Sequence, residues 1–205
     1  EVQLAIRIRL AGTPPTETKN QILFECGMHA REWLAAEACY WLVEDLVAQR
    51  DADIAELLHH VDVWVIPQTN PAGRILDDPS HGDPAHFLQV CESGPNIGLP
   101  CSGGCGTGDC ATGGWRGNRN TTTCELGVDL ARNFSYDWRG PTKDCNLTYP
   151  GEASFSEPET RNLRRFVNNR MISAVVIVHS PSQQLDHSWY GSHAPSTAMT
   201  DELGA

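Results

Sequence analysis

From Val2 to Leu10 the chain alternates apolar and polar positions (V-Q-L-A-I-R-I-R-L), the period-two pattern of a half-buried strand. A proline-containing turn over 11–20 separates it from a second strand over 22–28. Residues from Arg31 to about Gln49 then carry helical periodicity, with Trp33, Ala36, Tyr40 and Leu46 among the apolar positions. A further strand is predicted over 61–67. Residues 75–123, rich in Gly, Pro, Ser and Cys, have no periodicity and read as one loop, unusually long for a connection inside a compact domain. Beyond it, S-E-P-E-T places Ser156 as the N-cap of a helix running to about Asn169, with Glu157 and Glu159 in its first turn. The run Ala174-Val175-Val176-Ile177-Val178 predicts a last strand. Strands alternating with helices indicate an α/β sheet. No internal repeat or domain boundary is visible, so residues 1–205 read as one unit.

Composition narrows the class. A chain of 205 residues, 40% apolar and 20% charged, can bury a sizeable core. A formal net charge of −11 argues against a nucleic-acid partner, which needs a basic footprint. No apolar run approaches the ~20 residues of a membrane-spanning helix. Eight cysteines suggest disulfides and an oxidising, secreted setting. Four of them, Cys91, Cys101, Cys105 and Cys110, crowd the long loop, where disulfides and a second, structural zinc site are both open readings.

The candidate chemistry sits at strand ends. His29 and Glu32, three residues apart directly after the second strand, can offer one nitrogen and one carboxylate oxygen to a single cation. A catalytic zinc needs three protein ligands and an open position, and His179, closing the last strand, supplies the third. Both clusters lie at carboxyl ends of strands, the edge where open α/β sheets place their sites.

Six segments in order carry a resemblance to the zinc metallocarboxypeptidases of the pancreatic carboxypeptidase A/B type: C-G-M-H-A-R-E-W (26–33), Asn70-Pro71, W-R-x-N-R (115–119), G-V-D-L-A-R-N-F (127–134), S-E-P-E (156–159) and V-H-S (178–180). The resemblance runs from about Val2 to His193. It implies a mixed parallel and antiparallel sheet with helices on both faces, a Zn2+ held by His29, Glu32 and His179, and peptide or protein C-termini as substrate. Arg116 matches the oxyanion-stabilising arginine of that family. Arg132 matches the arginine that grips the terminal carboxylate, where a planar fork is the suitable partner. Arg31 matches a secondary carboxylate contact, and Ser180 lies beside the third ligand at the substrate. Asp129 matches the acid that orients the first histidine. Cys26 with Cys39 and Cys124 with Cys145 match family disulfides.

The chain also departs from the pattern. Ala131 replaces an asparagine that assists Arg132, removing a bond to a charged group worth about 1–3 kcal/mol. Pro181 replaces a tyrosine after His-Ser. That family has a cis peptide at this bond, and proline makes cis far cheaper, so Ser180–Pro181 is expected to be cis. The general-base glutamate and a mobile tyrosine of the family lie well beyond the third ligand; Glu202 does not fill the first role, and the chain reads as an interior fragment of a longer precursor. Hydrolysis at peptide C-termini is the function the resemblance implies. Two alternatives remain: a secreted, catalytically inactive zinc-binding relative that binds a peptide or protein, and a zinc amidohydrolase of small acylated amino acids. Of the sequons at Asn120, Asn133 and Asn146, glycan is expected only at Asn120 or Asn146, because Asn133 lies inside R-N-F.

Overall fold

Alternation along the β-branched runs places one set of side chains on each face of a four-stranded sheet, ordered β1 (Ile6–Ile8), β3 (Val61–Ile66), β2 (Asn20–Cys26) and β6 (Ile172–Val178). The computed structural model describes residues 2–12, 19–49, 51–78, 89–91, 110–112, 115–136, 138–141 and 145–180. β2 runs parallel to both β3 and β6, while β1 is antiparallel to β3, so the sheet is mixed as expected. Joining β2 to β3 in parallel requires a crossover. Helices α1 (Trp33–Ala48) and α2 (Ala52–His60) make it.

Two apolar layers flank the sheet. On one face Cys26, Val63, Val65 and Ile8 pack with Cys39 and Leu46 of α1 and Leu58 of α2. On the other, Leu23 and Ile66 pack with Leu163 of helix α4 (Pro158–Asn168), joined by Trp64 and Phe166. A third cluster of Cys124, Leu126, Val128 and Tyr149 holds together the segment that carries Asp129. The disulfides Cys26–Cys39 and Cys124–Cys145 stitch β2 to α1 and close this third cluster.

Several sequence expectations are corrected. The first strand is only Ile6–Ile8, the three residues that pair with Val65, Trp64 and Val63 of β3. Helix α1 buries Ala35, Ala36, Cys39 and Leu46, whereas Trp33 and Tyr40 are exposed. Helix α4 starts later than predicted: Pro158 takes its first turn, where the missing N–H is no loss, and Glu157 becomes the N-cap. Ser156 instead donates its hydroxyl to Glu157 and accepts from Asn133. The long loop is not featureless. Its start belongs to helix α3 (Pro71–Asp77), and strands β4 (Gln89–Cys91) and β5 (Cys110–Thr112) pair antiparallel within it, with Cys91 opposite Cys110 in register. The Ser180–Pro181 bond and Cys101 and Cys105 lie outside the described residues.

Candidate metal centre and its arginines

Each ligand candidate from the sequence reaches the centre by a local device. β2 ends at Gly27, whose φ of +67° is a left-handed conformation that a side chain would resist, and a Cβ there would meet Gln68 at 2.7 Å. The turn delivers His29 to the carboxyl edge of the sheet. Register does the rest for His179: Cys26 pairs with Val178, so the residues after β2 and β6 emerge side by side. Glu32 occupies the N-cap of α1 but makes no side-chain cap bond, leaving both carboxylate oxygens free to point elsewhere.

They point at the two histidines. Glu32 Oε1 lies 2.7 Å from His29 Nδ1, and Oε2 lies 2.8 Å from His179 Nδ1. The two imidazole rings stand 4.7 Å apart. One ligand atom from each of the three residues falls within 4.8 Å of the others. His29 Nε2 lies 3.0 Å from Asp129 Oδ1; a carboxylate only accepts, so this nitrogen carries the proton and Nδ1 faces the centre. Two inward imidazole nitrogens and a carboxylate are the donor set that suits zinc. The residues present therefore fit such an ion.

Electrostatics follow from the same contacts. Burial pushes the Glu32 carboxyl upward, yet hydrogen bonds from His179 and His29 outweigh it and hold the group well below the usual carboxylate range. Burial likewise opposes the charge on Asp129, but the His29 bond and the Arg116 guanidinium keep its pKa low. For His29 burial favours the neutral ring, and the bonds to Asp129 and Glu32 more than reverse this.

Arg116 binds Asp129 Oδ2 through Nε (3.2 Å) and Nη2 (3.0 Å), and its Nη1 lies 3.9 Å from Glu32 Oε1. The guanidinium is thus fixed at the edge of the cluster by the same acid that orients His29. Arg31 is half-buried, its pKa lowered first by burial and then by the charge of Arg116, so two cations share one rim. Arg132 ends the short 3-10 turn Leu130–Arg132 with its side chain exposed, and no ion pair holds it among the described residues. Ser180 contributes its backbone N–H, which donates to Glu32 Oε2 at 3.2 Å.

Sequence reasoning missed the parts that hold these groups in place. Asn70 is fully buried; its Nδ2 donates to Met28 O (3.2 Å) and Gly117 O (2.9 Å), tying the His29 segment to the Arg116 segment. Its Oδ1 caps α3 through Gly73 N, and the Asn-Pro pair was the available signal. Asp77 accepts from Trp115 N at 2.5 Å and from the indole of Trp33, bridging the residues beside Arg116 and Glu32. No periodicity points to that role.

The model of the zinc carboxypeptidase family matches residues 3–203. The chain belongs to the zinc carboxypeptidase family. Carboxypeptidase B of Homo sapiens is 30% identical over 181 residues, covering 82% of this chain and 35% of that protein. Carboxypeptidase O of Bos taurus is 29% identical over 177 residues, covering 83% of this chain and 40% of that protein. The chain therefore spans little more than a third of the length of these curated relatives. Among solved structures, carboxypeptidase A from Helicoverpa armigera superposes with a TM-score of 0.69 at 22% identity, over 97% of this chain and 42% of that one. Thrombin activatable fibrinolysis inhibitor gives 0.69 at 24% identity, over 98% and 45%. Both likenesses establish the zinc carboxypeptidase fold.

Proposed function

We propose that the chain is the metal-holding part of a secreted zinc carboxypeptidase that hydrolyses the C-terminal peptide bond of peptides or proteins. The observation that carries this reading is the convergence of His29 Nδ1, His179 Nδ1 and Glu32, with His29 oriented from behind by Asp129. A bound zinc would polarise the scissile carbonyl and acidify a water molecule. Arg116 stands at the rim of the cluster, clamped by Asp129, where a fixed cation favours the oxygen that gains negative charge. Arg132, exposed and without an ion pair among the described residues, is available to a substrate carboxylate, with Arg31 as a second contact. Two disulfides support an oxidising compartment.

Glu32 and Asp129, the acids that touch the two histidines among the described residues, are both already bound to histidine. Neither is free to take a proton from water, and the 205-residue chain is expected to bind zinc and turn over slowly. Ala131, which offers no side-chain donor beside Arg132, favours a second reading in which the cleft binds a peptide without cutting it.

The test compares three substrates with a polypeptide containing this chain: a blocked dipeptide with a free carboxylate, its C-terminal amide, and an N-acyl amino acid. Cleavage of the first alone, abolished by a chelator and restored by Zn2+, is the expected result. Cleavage of the N-acyl amino acid would make the protein an amidohydrolase. Zinc and peptide binding without cleavage would favour the binding module.

A further inference from the structure

Glu25 has no place in the chemistry above, yet it is the most anomalous side chain of the sheet. It lies in β2, the central strand, paired with Ile66 on one side and Ile177 on the other. It is fully buried, and neither carboxylate oxygen has a hydrogen-bond partner. The buried Thr69 hydroxyl beside it offsets only part of the cost of burying the carboxyl. A buried polar group left unbonded costs about 1–3 kcal/mol, more when charged, and an apolar residue in line with Leu23 would avoid that cost.

The position of Glu25 suggests what offsets it. Four residues further along β2's own path stands His29, and two residues beyond its partner Ile177 stands His179. Both histidines and Glu32 are close enough to act on it electrostatically. Against a divalent cation, Glu32 supplies one negative charge, and Asp129 is already committed to Arg116. One positive charge would remain uncompensated in a buried setting, where such charges are paired as a rule.

We infer that Glu25 is the buried counter-charge of the metal centre, strengthening the hold of His29, Glu32 and His179 on a divalent cation without touching it. The inference rests on the metal-centre reading above. Burial pushes the carboxyl up to about 7 against the lowering by Thr69, His179 and His29, so its charge is disfavoured unless a further positive charge stands nearby. The metal-free fold then carries Glu25 as a cost, and the metal-bound fold uses it.

Two measurements on the 205-residue chain decide the matter: Zn2+ affinity by competition with a chromophoric chelator, and urea unfolding of the metal-free protein at pH 8. Glu25→Gln keeps the shape and removes the charge. Its zinc affinity should fall about 10- to 100-fold, the range for residues that support metal ligands from outside. Its metal-free form should be at least as stable as wild type, a combination that a merely structural role would not produce. Glu25→Asp, which keeps the charge, should lose less affinity than E25Q. Unchanged zinc affinity in E25Q, or a metal-free E25Q that unfolds more readily or fails to fold, would overturn the inference alone. A wild-type chain that binds no Zn2+ would overturn the metal-centre reading and this inference with it.

Discussion

Glu32 illustrates how a single side chain divides the labour at this site: by declining the capping role at the start of α1, it keeps both oxygens for His29 and His179. Glu32→Gln should therefore abolish measurable Zn2+ binding while leaving the helix, whose first N–H groups it never capped, intact by circular dichroism. His29 sets the pH response of that binding. Its pKa is raised above 6.5, and the Nδ1 proton must leave before a cation takes its place. Zinc affinity should accordingly weaken as pH falls through the raised value, and calorimetry in buffers of different ionisation enthalpy should register released protons. Glu25 works in the same pH range on stability. Its folded carboxyl, raised from 4.5 to about 7, favours the metal-free fold below 4.5, and that contribution is lost as pH rises through 7. The full effect is about 3 kcal/mol. Urea midpoints of the chelator-treated protein should fall between pH 5 and pH 8, and E25Q should flatten that fall. The depressed pKa values of Glu32 and Asp129 act oppositely and lower down, their contribution being lost as pH falls below the ordinary carboxylate range.

Among the elements, the segment from Trp115 to Asp129 contributes most to the site with the least regular structure. Asn118 N donates to Val128 O, Val128 N donates back to Asn118 Oδ1, and Ala30 N donates to Arg116 O. Gly127 makes this close pairing possible: its φ is +72°, and a Cβ would fall 2.2 Å from the backbone oxygen of Asn118. Gly127→Ala should cost at least about 1–2 kcal/mol from the left-handed conformation alone. The clash should add to this and loosen Arg116 and Asp129 together, lowering both the urea midpoint and the zinc affinity. The sequons follow the same logic of local engagement. Asn133 Nδ2 is buried and bonded to Pro150 O, Ala153 O and Ser156 Oγ, so it is not available for modification.

For the molecule as a whole, β6 is an edge of the sheet among the described residues, and Val175, Val176 and Ile177 are 44%, 39% and 47% exposed. An open apolar edge is a template for pairing with another chain. The 205-residue protein should self-associate at high concentration, and Val176→Lys should reduce the association seen by light scattering without moving the zinc affinity. Zinc should stabilise the whole fold by mass action, by about 2.7 kcal/mol at a free concentration of 100 times Kd. A chelator should return the melting temperature to that of the metal-free form.

The sequence by itself determined the α/β class, because strand-length apolar runs alternate with a helical period, and it put forward His29, Glu32 and His179 as candidate ligands, because they follow two of those runs. It left the supporting contacts dark. Asn70 and Asn118 stand in motifs that do not say what they hold, and nothing local distinguishes Asp77 or Glu25 from ordinary polar residues; what matters is which backbone group or charge lies opposite each one. The register of β2 with β6, which sets His179 against Glu32 across 147 positions, was likewise decided only when the sheet closed, because strand pairing depends on long-range packing and not on local propensity.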